Sequence, residues 1–175
     1  EQPPTRDRAA FASALAAQLA ANRKVLYVPE SYHRHAPGAV PLICTALSGG
    51  SFQERLQESA QALGGAGALA LDVQRVRMDF LLPARLGEGV PMTGEALESL
   101  IREKSPAIFF SQDLCARYFT YSQDGETHFV LFDDAETIIK KLRTGSAMGF
   151  SAAFLMFPEV RDLLPALFPQ RPIKK

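Results

Sequence analysis

Carboxylates at the ends of strand-like segments are the residues of this chain best placed for chemistry. Asp79 alternates with apolar neighbours in Arg75-Val-Arg-Met-Asp-Phe80, Asp133 and Asp134 stand where a strand gives way to a helix, and Glu30 follows a strand stopped by Pro29. Ligand sites of parallel α/β sheets gather at such C-terminal strand ends. Glycoside cleavage needs two carboxylates, one of them kept protonated by its surroundings. Each group also has a plainer reading. N-capping of the next helix accounts for Asp133, and a surface pairing with Arg77 accounts for Asp79.

Other reactive patterns are incomplete. Tyr32-His33-Arg34-His35 offers two imidazoles without a third ligand nearby, so a solvated loop accounts for it. Gly64-Gly65-Ala66-Gly67 has neither the Lys-Ser/Thr of a P-loop nor the G-x-G-x-x-G spacing, and it reads as a helix end followed by a turn. Gly149-Phe150-Ser151-Ala152-Ala153 lacks the second glycine of a nucleophile elbow, and Ala153 would crowd the sharp turn. Cys115 and His128 share one hairpin region, but a packed thiol explains the cysteine without a lowered pKa. No catalytic residue is assigned on these grounds, whether the chain is an enzyme stays open, and no metal or cofactor is expected.

Around these residues the pattern predicts alternating elements. Asp7–Asn22 is an Ala-rich helix with Phe11, Leu15 and Leu19 as its apolar stripe. Lys24–Val28 is a strand, Glu30–Ala39 a polar loop and Val40–Leu47 a second strand. Ser51 begins a helix with Phe52, Leu56 and Leu63 on one side. Ala68–Leu82 holds one or two strands, Thr93 caps a helix over Gly94–Lys104, and Pro106–Phe110 is a short buried strand. Arg117–Tyr121 and Thr127–Phe132 flank Asp124-Gly125, which suits the tight turn of a β-hairpin. Asp133 then sits as N-cap with Glu136 three residues on, Ile138, Ile139 and Leu142 recur at helical spacing, Lys140, Lys141 and Arg143 fill the last turn, and Gly145 closes it. Met148–Phe157 reads as a strand buried on both faces. Pro158–Leu167 is a closing helix with Val160, Leu163, Leu164 and Leu167 inward, and Pro169–Lys175 is a tail. This order predicts one α/β domain over residues 1–175, with a largely parallel sheet plus one β-hairpin.

Composition narrows the partners. The chain has 175 residues, 47% of them hydrophobic, which is enough for a full core in one domain. Its 19 basic and 19 acidic residues carry no like-charged run, so nucleic acid is not an expected partner. No apolar stretch reaches the roughly 20 residues needed to cross a bilayer. Cys44 and Cys115 are too few for a disulfide framework or a zinc site; free thiols and a single bridge are both open. The first residue is Glu1 rather than Met, as expected of a processed chain or of one with a segment upstream, a removed signal peptide being one such case.

Hairpin, Phe132-Asp133-Asp134, the helix with Ile138 and Lys141, and Met148-Gly149-Phe150 leading to a strand together resemble the last third of family 18 glycoside hydrolases, the spore- and peptidoglycan-associated members above all. Arg6–Pro29 resembles the helix and strand that follow the acidic catalytic strand of that family, and Met78-Asp79-Phe80 is similar to its later Met-x-Tyr-Asp strand. The resemblance implies part of a (β/α)8 barrel, a secreted or cell-envelope location, and a groove for N-acetylglucosamine polymers such as chitin or peptidoglycan, with Asp79, Tyr121 and Asp133 as groove residues. The aspartate-rich strand ending in the catalytic Glu has no counterpart here, a complete barrel needs at least about 200 residues, and Trp is absent. The implied role is therefore polysaccharide binding by an incomplete or non-catalytic domain. The alternative is a non-enzymatic α/β interaction domain using the hairpin edge or a Phe-rich C-terminal surface to bind a protein, drawn from the 12 phenylalanines. Open edges of half a barrel would also favour a homodimer.

Overall fold

The computed structural model describes residues 3–85 and 87–169, so the tail beyond Pro169 lies outside the described residues. Helix α1 (Arg6–Ala21) is capped by Thr5, whose side chain accepts from the Arg8 N–H. It leads to strand β1 (Tyr27–Pro29), a 3-10 turn at Glu30–His35 where a loop was expected, and β2 (Val40–Cys44). Helix α2 (Phe52–Ala62), with Ser51 as its cap, connects to β3 (Ala70–Val73). Strands β4 (Arg77–Leu81) and β5 (Val90–Pro91) follow, then α3 (Gly94–Lys104), β6 (Phe109–Ser111), β7 (Ala116–Gln123) and β8 (Glu126–Phe132). Helix α4 (Ala135–Met148) returns to β9 (Ala152–Leu155), and two short helices, α5 (Phe157–Val160) and α6 (Leu164–Leu167), flank a 3-10 turn.

Two sheets result. Strands β1-β2-β3-β9 are all parallel, and β5-β4-β8-β7-β6 form an antiparallel sheet inserted between β3 and α4. The fold is thus α/β with a parallel sheet, and the expected hairpin is the centre of a second, larger sheet. Its turn has Asp124 and Gly125 at φ of 53° and 83°, the left-handed pair that a two-residue hairpin turn requires. The parallel sheet is open but strongly curled. Neighbouring strands stand about 4.8 Å apart, so β1 and β9 would be roughly 14 Å apart in a flat sheet. The rings of Tyr27 and Phe154, one from each edge, nevertheless meet at 4.7 Å across the inner face.

The main core lies on the outer face of the parallel sheet, where Ile43, Leu71 and Val73 pack with Phe52 and Leu56 of α2, Ile138 of α4 and Val160. Gly145 belongs to this contact and does not end α4. A Cβ there would stand 2.5 Å from Leu71 Cδ1, and the helix runs on to Met148, where Gly149 at φ 91° closes it. The N-cap is Asp134, with Thr137 rather than Glu136 completing the capping box. Lys141, expected in the last turn, lies in mid-helix and is fully buried. In α1 the small residues Ala12 and Ala16 pack on Val28 while Phe11 is 68% exposed, because only alanines allow the close approach. Strand β9 is an edge rather than a doubly buried strand, with Phe154 42% exposed. Strand β6 is likewise an edge, with Phe109 exposed. Val160 is buried, and Leu163, Leu164 and Leu167 pack on the main core, as the closing helix requires.

Candidate functional site

The three residues expected in a groove separate into two places. Asp133 ends β8 and points inward. It is 1% exposed, its Oδ2 accepts from Lys141 Nζ at 2.7 Å and from the Val76 N–H at 2.9 Å, and its Oδ1 accepts from Thr137 Oγ1 at 2.8 Å. Both oxygens are engaged, so Asp133 joins the start of β4, the end of β8 and α4 from inside the protein and faces no groove. The charge of Lys141 is tolerable only with this partner, since an unpaired buried ion is costly.

Asp79 and Tyr121 do come together. Alternation along β4 and β7 points both to the sheet face that also carries Phe119, Val130 and α3. Tyr121 Oη donates to Asp79 Oδ2 at 2.9 Å, and His128 Nδ1 lies 3.1 Å from the same oxygen. The His128 and Tyr121 rings stack with centroids 4.5 Å apart. Burial first, and then the Asp79 carboxylate beside it, push the Tyr121 phenol up to about 12, so it remains a hydrogen-bond donor at any physiological pH. Asp79 and His128 are each 20% exposed, which leaves this polar cluster reachable from solvent. His128 pairs with Asp79 and not with a thiol. Burial pushes the Cys115 thiol up against the pull of Lys141 and Lys140, which is the reverse of nucleophile activation. Ser151 Oγ donates to the Leu69 carbonyl at 2.7 Å in the approach to β9, with no elbow around it. Among the described residues no three His, Cys, Asp or Glu side chains gather as a metal site, and no disulfide joins Cys44 to Cys115.

The main concave surface lies elsewhere, at the carboxyl ends of the parallel strands. One cleft holds Glu30 after β1, Cys44 and Ala46 at the end of β2, and Gln74 after β3. A second, of about 300 Å3, shares Ala46, Leu47 and Gln74 with it and adds Arg77, Met78 and Met92. A third adjoins at Ser48 and is walled by Phe80 and Phe129. Beyond it the aromatic row continues over the antiparallel sheet, Phe80 to Phe129 at 6.1 Å, Phe129 to Tyr118 at 5.3 Å and Tyr118 to Phe109 at 5.6 Å. Carboxylates along the rim are tied down. Glu30 pairs with Arg55; Asp72 accepts from Gln74 at 2.7 Å; Glu159 accepts from the Arg75 N–H at 3.2 Å. The aromatic row was not anticipated from sequence, although Phe80, Tyr118 and Phe129 each occupy alternate positions of a strand.

No protein-family model matches the chain, and no curated protein does. Solved structures share its fold. A chitinase from Chromobacterium violaceum ATCC 12472 superposes with a TM-score of 0.64 at 16% identity, covering 94% of this chain and 62% of that one. The spore cortex-lytic enzyme SleL of Bacillus cereus gives 0.56 at 19% identity, over 83% of this chain and 40% of that one. A class V chitinase from Nicotiana tobaccum in complex with NAG4 gives 0.58 at 12% identity, over 88% and 60%. The resemblance to family 18 glycoside hydrolases therefore holds at the level of fold, and the chain spans about three-fifths or less of the length of these structures. Within that fold it has the open parallel sheet and the inserted antiparallel sheet, and the described residues form no closed barrel.

Proposed function

We propose that this is a glycoside-hydrolase-type domain that binds N-acetylglucosamine-containing polysaccharide, of the chitin or peptidoglycan kind, without cleaving it by itself. The observation that carries the reading is the run of adjoining clefts at the carboxyl ends of β1, β2 and β3, walled by Phe80 and Phe129 and extended by the half-buried ring of Tyr118 and the exposed ring of Phe109. Ligands of parallel α/β folds bind at this end. Flat aromatic surfaces with polar groups beside them suit sugar rings, which have one apolar face and a polar rim. The Asp79–Tyr121–His128 cluster on the other face of the same sheet is a second contact area for the chain of sugars. The non-catalytic part of the reading draws on the rim carboxylates, since Glu30, Asp72 and Glu159 are each held by a donor. A location outside the cell or in its envelope belongs to the same proposal.

The test is a calorimetric titration with N-acetylglucosamine tetramer. Wild type is expected to bind saturably without releasing shorter sugars, Ser48→Arg to lose binding by filling the junction of two clefts, and Asp79→Ala to bind more weakly. No heat with wild type, or full affinity in Ser48→Arg, would remove the reading.

A second reading as a protein-binding domain has one observation in its favour. The hairpin edge is not available for it, because β6 covers β7 and β4 covers β8. The edges of the parallel sheet are open instead, and Tyr27, Phe154, Met156 and Phe157 beside them are exposed. A second copy of the chain is the partner this geometry suits, since two four-stranded parallel halves supply the eight strands of a barrel.

A further inference from the structure

Arg77 differs from Arg55 and Arg75, the other half-buried arginines of the clefts. Arg55 pairs with Glu30, and Arg75 spans the Glu159 carbonyl and the Asp162 carboxylate, at 3.0 and 2.6 Å. Among the described residues no side-chain hydrogen bond or ion pair holds the guanidinium of Arg77. It is half-buried all the same, in the wall of the 300 Å3 cleft beside Met78, Met92 and Gln74. Two carboxylates lie near, and both are hydrogen-bonded to Arg75: Glu159 lines the cleft and accepts from the Arg75 N–H, and Asp162, which the charge of Arg77 attracts without a hydrogen bond, is bound by the Arg75 guanidinium. The guanidinium also fits closely under the first residue of α3, where a Cβ on Gly94 would meet its Nη1 at 2.8 Å. Gly94 leaves the space in which the charge sits. A planar fork of donors without a protein acceptor, in a partly desolvated cleft, is suited to a carboxylate, which it can hold through two parallel hydrogen bonds.

We infer that Arg77 makes this cleft selective for an acidic glycan, one whose N-acetylated hexosamines carry a carboxylate, over the neutral N-acetylglucosamine polymer. This rests on the reading of the clefts as a polysaccharide site, and it narrows that site to sugars bearing an ether-linked lactate, as in N-acetylmuramic acid. The apolar side chains of the cleft receive the sugar rings, and the guanidinium in its wall takes the carboxylate.

Two tetrasaccharides of equal length separate the possibilities: neutral N-acetylglucosamine tetramer, and one alternating N-acetylglucosamine with N-acetylmuramic acid. Wild type is expected to bind the acidic tetramer about tenfold tighter or more, as a charge-assisted hydrogen bond implies, with the excess shrinking as salt is raised. Arg77→Gln removes the charge and keeps a shorter polar side chain, and Gly94→Ala keeps the charge but displaces the guanidinium. Both are expected to bring the ratio of the two affinities close to one, with thermal unfolding reported alongside to show that each variant is folded. Equal affinity of wild type for the two tetramers overturns the inference and leaves polysaccharide binding standing. A preference that survives both substitutions overturns the role of Arg77. Absence of binding to either tetramer overturns the polysaccharide reading and this inference with it.

Discussion

Asp79 and Asp133 show how differently two strand-end aspartates can be used. Asp133 is closed off by Lys141, Thr137 and the Val76 N–H, so Asp133→Asn should destabilise the protein by about 3–5 kcal/mol in urea unfolding, the cost of leaving a buried cation without its counter-charge. Lys141→Met with Asp133→Asn should cost less than the two single changes added together. Asp79 has the opposite surroundings, a phenol and an imidazole at a half-open surface. Tyr121 should ionise near 12 in a phenolate absorbance titration, against the 10 of a free phenol. Its folded pKa is raised, so its contribution to stability is complete below pH 10 and is lost as pH rises toward 12. Tyr121→Phe should remove that late step, and a wild-type titration without a late step would contradict the assigned hydrogen bond. The Tyr121–His128 stack was legible in principle: a two-residue Asp124-Gly125 turn pairs Gln123 with Glu126 and therefore Tyr121 with His128. Its meeting with Asp79 was not, because the β4–β8 register is set by contacts distant in sequence. Arg77 was visible only as an alternating charge, since an absent partner leaves no trace in a sequence.

Helices and strands were read most accurately where local chemistry decides them. Ser51 and Thr93 cap α2 and α3 as their types and positions predict. At α4 two adjacent aspartates offered the same chemistry, and tertiary burial of one left the cap to the other. Gly145 misled for a related reason: glycine signals a helix end locally, but here it admits Leu71 against the helix. Gly145→Val should therefore cost about 1–3 kcal/mol by overpacking, measured by chemical denaturation, although valine lacks the conformational cost of glycine in a helix. An unchanged midpoint would show that α4 can move away from β3. The apolar run Met148–Phe157 looked buried because composition cannot separate a central strand from an edge whose inner face is uncovered. In α1 the same limit hid the use of alanines, rather than Phe11, as the packing stripe.

The four parallel strands curl as part of a barrel does, and the inserted antiparallel sheet builds one wall of the clefts at their carboxyl ends. Alternation of elements was enough to anticipate the parallel sheet; the second sheet was not, because β5 is only two residues long and the pairing of β4 with β8 joins residues distant in sequence. If a second copy closes the open edges, sedimentation equilibrium should give a dimer, and Phe154→Asp, which charges the exposed inner face, should give a monomer of unchanged secondary structure. Wild type sedimenting as a monomer at high concentration would remove that partner. The central claim is that sugar occupies the strand-end clefts. Hydrogen exchange of the chain with and without N-acetylglucosamine tetramer addresses it directly. Protection should appear over residues 44–48, 74–80 and 129, the segments that line the adjoining clefts. Saturable binding with protection confined to the inner face around Tyr27 and Phe154, or no protection anywhere, would contradict it.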